Sequence, residues 1–234
     1  MGAVEVLDRY VSAESGNDAN DGKSWATAKQ TIQAAIEDIA DGHTVWVSNG
    51  VYETGGVACY PMATDALTNR VAIHKAITVR SVNGPEATTI KGFRPSGDAA
   101  VRCVFMTNGA SLIGFTLTNG ATREAGDTDR ERSGGGVWCQ STNAMVSNCV
   151  ITANLNSYGT VAGAYRATLY NCVLNANAGN GASFSLLYNC LLTRNSAYAG
   201  GGALVCSLYN CTLTENTATA YGAGAYESWL YNCT

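Results

Sequence analysis

Short apolar stretches alternate with polar positions and glycines throughout the second half of the chain, and this alternation repeats. An Asn-Cys pair recurs at steps of 23, 18, 21 and 22 residues: Asn148-Cys149, Asn171-Cys172, Asn189-Cys190, Asn210-Cys211 and Asn232-Cys233. A glycine-rich element lies between these pairs: Gly134-Gly135-Gly136-Val137, Gly163-Ala164-Tyr165, Gly181-Ala182-Ser183, Gly201-Gly202-Ala203-Leu204 and Gly222-Ala223-Gly224-Ala225. Repetition at this period predicts a solenoid.

One repeat is long enough for a short strand, a turn, a second short strand and a glycine-rich turn, but not for a helix. Strands this short become stable only when each coil stacks on the next, about 4.8 Å away, and pairs with it in parallel. The Leu-x-x-Leu-x-Leu pattern of leucine-rich repeats is missing, and a propeller blade needs about 40 residues. The pattern therefore predicts an all-β, single-stranded right-handed parallel β-helix of about eight coils.

Stacking of equivalent positions predicts three side-chain columns. The repeated cysteines form an inward column, and the asparagines before them lie at a tight turn with positive φ, where each hydrogen-bonds to its copies. An outward column contains Tyr170, Tyr188, Tyr209 and Tyr231. The tyrosines serve either as a flat platform for sugar rings or as a stack that stabilises the coils, and we favour the stack.

The first half follows the same scheme less regularly. The segment 114–119 matches the repeat, with Phe115 in the cysteine position. Residues 31–40 differ, because their isoleucines and Ala35 lie on one helical stripe that ends before Gly42. This amphipathic helix would cover the open end of the core.

The predicted organisation is an N-terminal cap over residues 1–44 and β-helix coils over 45–234, with a charged loop inserted at about 121–133.

These features resemble the right-handed parallel β-helix proteins of the pectate-lyase-like group, and residues 10–56 resemble the N-terminal cap of bacterial surface β-helix proteins. The segments that carry this resemblance are Tyr10-Val11-Ser12, Gly16–Gly22, Ser24–Thr27, Thr31–Ile36 and Asp41–Val47. The later coils are similar to the repeats of polymorphic outer-membrane proteins, through Gly201–Leu204 and Leu213–Asn216. The resemblance implies an exported protein that contributes to adhesion or to an extracellular assembly.

Composition narrows the range of partners. Charged residues make up 14% of the chain, below the usual figure of about 25%, and the net charge is −4. Without a basic stripe, the chain is not expected to bind nucleic acid. No apolar run reaches the roughly 20 residues of a membrane span. The N-terminus lacks a signal segment, so either the protein is cytosolic or this is a mature chain; we expect a secreted or cell-surface protein.

An enzyme of the lyase or hydrolase type is the main alternative, since this fold hosts both. The chain from Gly134 onward has only four charged residues, Arg166, Arg194, Glu215 and Glu227. They cannot supply two carboxylates and a base on adjacent coils unless another segment contributes. The dense charged cluster 123–132 is interpreted as a solvated loop, with a substrate or metal loop as the alternative.

Other candidate sites are weak. Asp18, Asn20 and Asp21 are interpreted as an Asx-rich turn in preference to a calcium loop, because the EF-hand register is missing. His43 and His74 have no ligand spacing, so both are interpreted as structural. No Cys-x-x-Cys occurs among the nine cysteines, which argues against zinc. Buried free thiols are favoured, with one disulfide left open among Cys59, Cys103, Cys139 and Cys206.

The chain stops part-way through a coil, at 230–234. Either a longer solenoid continues, or this end docks head-to-tail on another copy, which we favour. We assign no catalytic, cofactor or metal residue. The leading hypothesis is a non-enzymatic structural or adhesive module of a bacterial surface protein; the alternative is a β-helix that binds or cleaves polysaccharide.

Overall fold

The computed structural model describes residues 7–58, 66–156 and 161–234. The chain is a parallel β-helix, in which the strands of each coil pair in parallel with those of the next. Each regular coil contributes three strands where the sequence predicted two, because the glycine-rich element forms a strand of its own. The three strands build three sheets, named A, B and C.

The strand bounds follow the repeat. Sheet A contains Arg9–Val11, Thr44–Val47, Thr78–Ser81, Ser111–Ile113, Met145–Ser147, Thr168–Tyr170, Leu186–Tyr188, Ser207–Tyr209 and Trp229–Tyr231. Sheet B contains Gly50–Tyr52, Thr88–Lys91, Thr116–Thr118, Val150–Thr152, Val173–Asn175, Leu191–Thr193 and Thr212–Thr214. Sheet C contains Thr68–Ile73, Val101–Met106, Val137–Cys139, Val161–Tyr165, Asn180–Ser183, Ala203–Leu204 and Ala225–Tyr226. A separate pair contains Ser196–Ala199 and Thr217–Tyr221.

The core lies between the three sheets, and sheets A and B contribute to it chiefly through the middle residue of each three-residue strand. Leu169 pairs with Val146 on one side and with Leu187 on the other, and all three side chains are fully buried. A slip of one residue would turn this column toward solvent, so burial fixes the register of every coil.

Corners with positive φ connect the strands of the regular coils. At the corner between sheets A and B, the five repeated asparagines have φ of 51° to 53°, as predicted. The other two corners reach the same conformation without asparagine or glycine: Arg166, Phe184, Val205 and Glu227 follow sheet C, and Ala153, Ala176, Arg194 and Glu215 follow sheet B. Local preference disfavours this conformation in such residues, so the pairing of the flanking strands imposes it.

The cysteine column is confirmed. Four of its members are at most 3% exposed, and Cys233 is half-buried. The backbone N–H of Cys190 donates to Sγ of Cys211 at 3.4 Å, and the N–H of Phe115 donates to Sγ of Cys149 at the same distance. Phe115 therefore occupies the cysteine position, as the sequence predicted.

The predicted asparagine column forms at the corner between sheets A and B, where Nδ2 of Asn232 donates to Oδ1 of Asn210 at 2.7 Å. Asn171 and its counterparts lie at an exposed corner, whereas a second column, Asn154, Asn177, Asn195 and Asn216, forms the internal ladder. In this column Nδ2 of Asn177 donates to Oδ1 of Asn195 at 2.9 Å and to the carbonyl of Ile151 at 2.9 Å. The bend from sheet B toward sheet C points these side chains inward, where only their neighbours can satisfy them.

The glycine-rich element lies at and within the strands of sheet C rather than in a turn. A Cβ on Gly163 would overlap the carbonyl of Gly181 in the next coil. Glycine is therefore required there by the close approach of two backbones.

The predicted helix 31–40 is present but shorter, as Ile32–Glu37. Thr31 caps its start, with Oγ1 accepting from the N–H of Ala34 at 3.2 Å. It ends early because Nζ of Lys75 donates to the carbonyls of Ile36, Glu37 and Ile39, each at 2.8 Å. Those bonds replace the next helical turn.

The tyrosine column forms on the outer face of sheet A. Ring centroids of Tyr170, Tyr188, Tyr209 and Tyr231 are 4.8 to 4.9 Å apart, with planes within 13° of parallel. Each inner ring has both faces covered by its neighbours and turns only its edge and hydroxyl outward. This geometry favours the stabilising stack over a sugar platform, which needs exposed faces.

Candidate functional site

The charged loop at 121–133 is folded onto the outer face of sheet C. Its ends are joined by a backbone bond from the N–H of Arg123 to the carbonyl of Glu131 at 3.0 Å, and a turn inside it is closed by a bond from the N–H of Glu131 to the carbonyl of Asp127 at 3.0 Å. A loop closed in this way holds its side chains in fixed positions.

A fully buried arginine anchors the loop from below. Nη2 of Arg102 donates to the carbonyls of Ser133, at 2.9 Å, and of Arg130, while Nε donates to the carbonyl of Gly134 at 3.0 Å. Nη1 reaches Oδ1 of Asn69 at 2.8 Å. The fork geometry of the guanidinium suits several carbonyls at once, which a lysine could not match.

Glu131 anchors the loop from within and is only 4% exposed. Its Oε1 accepts from the N–H of Ala66 and from Nη1 of Arg123, each at 2.7 Å, and its Oε2 accepts from the N–H of Asp127 at 2.9 Å. Burial alone would raise the pKa of Glu131, but these donors together lower it. Arg123 also contacts Asp98, at 2.7 Å.

An aromatic column lies beneath the loop, formed by Phe105, Trp138 and Tyr165 on successive coils. The rings of Phe105 and Trp138 stack at 5.4 Å, and those of Trp138 and Tyr165 at 6.3 Å. All three are at most 3% exposed, because the loop covers them. Nε1 of Trp138 donates to the carbonyl of Asp129 at 2.7 Å, so the column also fixes the loop above it.

The loop and the sheet together enclose a groove of 520 Å³. Oδ2 of Asp129 lies 3.0 Å from Nη2 of Arg166, which belongs to the corner after sheet C. Oδ2 of Asp127 lies 3.2 Å from Nη1 of Arg130. The groove is lined by Asp127, Thr128, Asp129, Arg130, Trp138, Gln140 and Arg166. Both carboxylates in the described lining of the groove therefore come from the loop.

The phenol of Tyr165 also contacts Asp129. Burial raises the pKa of Tyr165, and its hydrogen bond to the Asp129 carboxylate raises it further, so this hydroxyl stays protonated as a donor. The guanidinium of Arg166 lies over the same ring, 5.0 Å from its centroid. Asp129 is consequently oriented by two donors from sheet C while about half of its side chain faces solvent.

This arrangement suits a polyhydroxylated ligand. Carboxylate oxygens accept hydrogen bonds from hydroxyls, and guanidinium groups donate to hydroxyls and carboxylates. The sequence pointed to the charged cluster 123–132 but favoured a solvated loop. The structure places these residues beside the coil face, and the alternative reading, a substrate or metal loop at that face, stays a prediction.

The remaining candidates have structural contacts. Oδ1 of Asp18 accepts from the N–H groups of Gln30 and Thr31, each at 2.8 Å, and Oδ1 of Asp21 accepts from the N–H of Lys23, as in an Asx-rich turn. His43 and His74 face single carboxylates, those of Asp8 at 3.9 Å and of Glu37 at 3.5 Å.

The cysteines outside the column, Cys103, Cys139 and Cys206, are buried free thiols, and Cys59 lies outside the described residues. Within the described ranges, no group of three or more metal-binding side chains comes together, and no helix has the length and hydropathy needed to cross a membrane.

Comparison with known proteins places the chain in a family. Residues 14–186 match the family described as "Protein of unknown function (DUF1565)". The chain belongs to this family. No curated protein matches it significantly.

The solved structures that resemble this DUF1565 protein share its parallel β-helix fold. A rhamnogalacturonan lyase aligns with 97% of the chain at 12% identity and a TM-score of 0.57. A pectin methylesterase from carrot aligns with 92% of the chain at 11% identity and a TM-score of 0.50. A pectin methylesterase from Erwinia chrysanthemi aligns with 92% of the chain at 11% identity and a TM-score of 0.54. The chain spans 62%, 64% and 69% of these three proteins, respectively. The predicted likeness to the pectate-lyase-like group is confirmed for the fold.

Proposed function

We propose that this DUF1565 protein binds a polysaccharide in the groove between loop 121–133 and sheet C. The observation that carries the proposal is the convergence of two carboxylates and two guanidinium groups, from Asp127, Asp129, Arg130 and Arg166, in one groove. Its volume of 520 Å³ lies within the roughly 300–1,000 Å³ of ligand sites. The names of the similar structures, a rhamnogalacturonan lyase and pectin methylesterases, support a carbohydrate ligand.

The construction of the groove favours binding with little rearrangement. Arg102 and Glu131 hold the loop from below and within, and the aromatic column holds the carbonyl of Asp129. Side chains fixed in this way lose little entropy when a ligand arrives. Each carboxylate already has a guanidinium partner, so the groove carries no net charge of its own and suits hydroxyl-rich segments.

Affinity electrophoresis through gels that contain pectate, rhamnogalacturonan or a neutral glucan tests this function. We expect retardation by at least one polymer, and about tenfold weaker binding in Asp129→Asn and Arg166→Ala, since each removes a charged hydrogen-bonding group. Arg194→Ala is the matched control, because Arg194 forms a similar ion pair with Glu215, at 2.6 Å, outside the groove. Retardation that persists unchanged in both groove variants, or no retardation at all, would overturn the proposal.

Cleavage is the second outcome to measure with the same polymers. Incubation followed by ultraviolet absorbance detects the unsaturated products of a lyase, and reducing-end release detects a hydrolase. A binding module gives neither. Product formation that is lost in Asp129→Asn would instead assign the groove an enzymatic role.

We further infer an extracellular, surface-displayed protein from the resemblance of residues 10–56 to bacterial surface β-helix proteins; cell fractionation tests this. The helix Ile32–Glu37 acts as a cap in this proposal, since Ile32, Ala35 and Ile36 are buried against the first coils. The adhesive role, the likeness to polymorphic outer-membrane protein repeats and head-to-tail self-association remain predictions. Light scattering across a dilution series tests the last of these.

A further inference from the structure

A second pocket lies far from the groove along the chain, at the corner between sheets A and B in the first coils. Its volume is 320 Å³, and it is lined by Ser12, Glu14, Trp25, Ser48, Asn49, Val82 and Asn83. None of the residues that the structure describes lines both sites, and none of those lining this pocket comes from the charged loop.

The pocket has a rigid aromatic wall. Trp25 begins the short 3-10 helix Trp25–Thr27, whose start is capped by Oγ of Ser24, accepting from the N–H of Thr27 at 3.3 Å. The ring of Tyr10 meets the indole edge-to-face at 4.9 Å and 67°, yet Trp25 remains 46% exposed. Val82, 47% exposed, adds a second apolar surface. A large side chain held in place but left half open is typical of a recognition surface.

Neutral polar groups surround this apolar surface. Nδ2 of Asn83 donates to Oδ1 of Asn49 at 2.8 Å, which ties two neighbouring coils together. This bond leaves N–H groups of both amides and Oδ1 of Asn83 able to bond further. Ser12 and Ser48 add hydroxyls, and the exposed Glu14 is the one ionisable group among the described residues that line the pocket.

We propose that this pocket binds one pyranose residue of an uncharged glycan. The indole of Trp25 would stack on the C–H face of the sugar, while the amides and Glu14 bond to its hydroxyls. Acidic sugars are disfavoured, because Glu14 has no basic group beside it in the pocket lining to offset its charge. This site stands independently of the groove, and the two lie on different faces of the solenoid.

The test uses methyl glycosides of glucose, galactose, mannose and N-acetylglucosamine as probes. Heteronuclear NMR follows the indole N–H resonance of Trp25, assigned with Trp25→Phe. We expect a saturable shift with at least one probe and at least tenfold weaker binding in Val82→Arg, which blocks the pocket from an exposed position. Trp229→Ala, at another exposed tryptophan (69%), and Asp129→Asn, in the groove, are expected to bind as the wild type does.

Three results would overturn the proposal. The first is that no probe shifts the Trp25 resonance. The second is that Val82→Arg binds as the wild type does, or that Trp229→Ala is weakened equally. The third is that choline shifts the same resonance at lower concentration than any sugar, which would assign the pocket to an organic cation. If the groove variants lose polysaccharide binding but sugars still shift the Trp25 resonance, the pocket proposal stands. The two proposals can therefore fail separately.

Discussion

The coils after Gly134 and the part of the chain before it use the same fold for different purposes. Of the 32 charged residues in the chain, 28 precede Gly134. The later coils repeat the same thiol, amide and tyrosine columns, whereas the earlier part contains the helix, the charged loop and the Trp25 pocket. Identical side chains stacked in columns satisfy one another and leave little chemical variation for recognition. The charged side chains that could contact a ligand therefore concentrate where the repeat is interrupted.

The groove shows how the two regions cooperate. Asp127 and Asp129 come from the interrupting loop, while Trp138 and Arg166 come from the first regular coils. The regular part supplies a rigid surface, and the irregular part supplies the carboxylates. The predictions below separate these contributions by changing one region at a time.

The largest effect is expected inside the regular coils. Asn177→Ala removes a buried amide that bonds to Asn154, Asn195 and Ile151, and leaves several polar groups unsatisfied. We expect the free energy of unfolding to fall by about 3 kcal/mol or more. The control is Asn171→Ala, at the exposed corner with φ of 52°, which should cost about 1 kcal/mol. Urea denaturation followed by circular dichroism measures both, and equal losses would contradict the internal ladder.

A smaller and more local effect is expected in the loop. Glu131→Gln keeps the shape of the side chain but removes the charge that Arg123 and two N–H groups bind, at a cost of about 2 kcal/mol. Hydrogen exchange should increase within 121–133 while the coils from 161 onward stay protected. Glu227→Gln, at an exposed corner, is the control. Opening of the whole solenoid instead would mean that the loop and coils are not separable.

The same carboxylate gives the loop a pH dependence. Because the folded pKa of Glu131 is lowered, its stabilisation is fully present above the unfolded value of about 4.5 and is lost as pH falls through the folded value. Limited proteolysis of the loop should therefore accelerate below about pH 4.5. In Glu131→Gln, the rate of loop proteolysis should depend less on pH, because the titrating carboxylate is gone. A pH profile of proteolysis equal to that of the wild type would mean that other groups cause the dependence.

The tyrosine stack is expected to contribute less. Tyr188→Ala removes two stacked contacts, at 4.8 and 4.9 Å, and should lower the free energy of unfolding by about 1–2 kcal/mol. Tyr198→Ala, 60% exposed with one edge-on contact, should cost less than half of that. Urea denaturation measures the free energy of unfolding of both variants. A negligible loss in Tyr188→Ala would contradict the stabilising role and favour the alternative, in which the tyrosine column is a platform for sugar rings.

The smallest perturbation is chemical labelling of the native thiols. Burial raises the pKa of Cys206 to about 12 and that of Cys149 to about 11, whereas Cys233 is only half-buried. Among the cysteines that the structure describes, iodoacetamide at neutral pH should therefore modify Cys233 first, because the reagent reaches its thiol while the raised pKa values of the buried thiols keep them protonated. Mass spectrometry of peptides gives the order, and early labelling of Cys149 would argue against a closed core.

The sequence by itself determined the parallel coils, the inward cysteines and the outward tyrosines. These features recur once in every coil, and stacking of the coils converts such repetition directly into columns. The third strand of each coil escaped sequence reasoning, because a glycine-rich segment has weak strand preference until a neighbouring backbone pairs with it. The internal column that begins at Asn154 escaped it as well, because only the path of the bend after sheet B shows that these asparagines are buried.

The groove was decided by the tertiary structure alone. Asp129 and Arg166 are 37 residues apart, and nothing in their local sequence marks them as partners. They meet because buried Arg102 and Glu131 fold the loop back over Trp138 and Tyr165. Repetition can be read along the chain, but a contact made by a non-repeating loop depends on where the rest of the chain holds it.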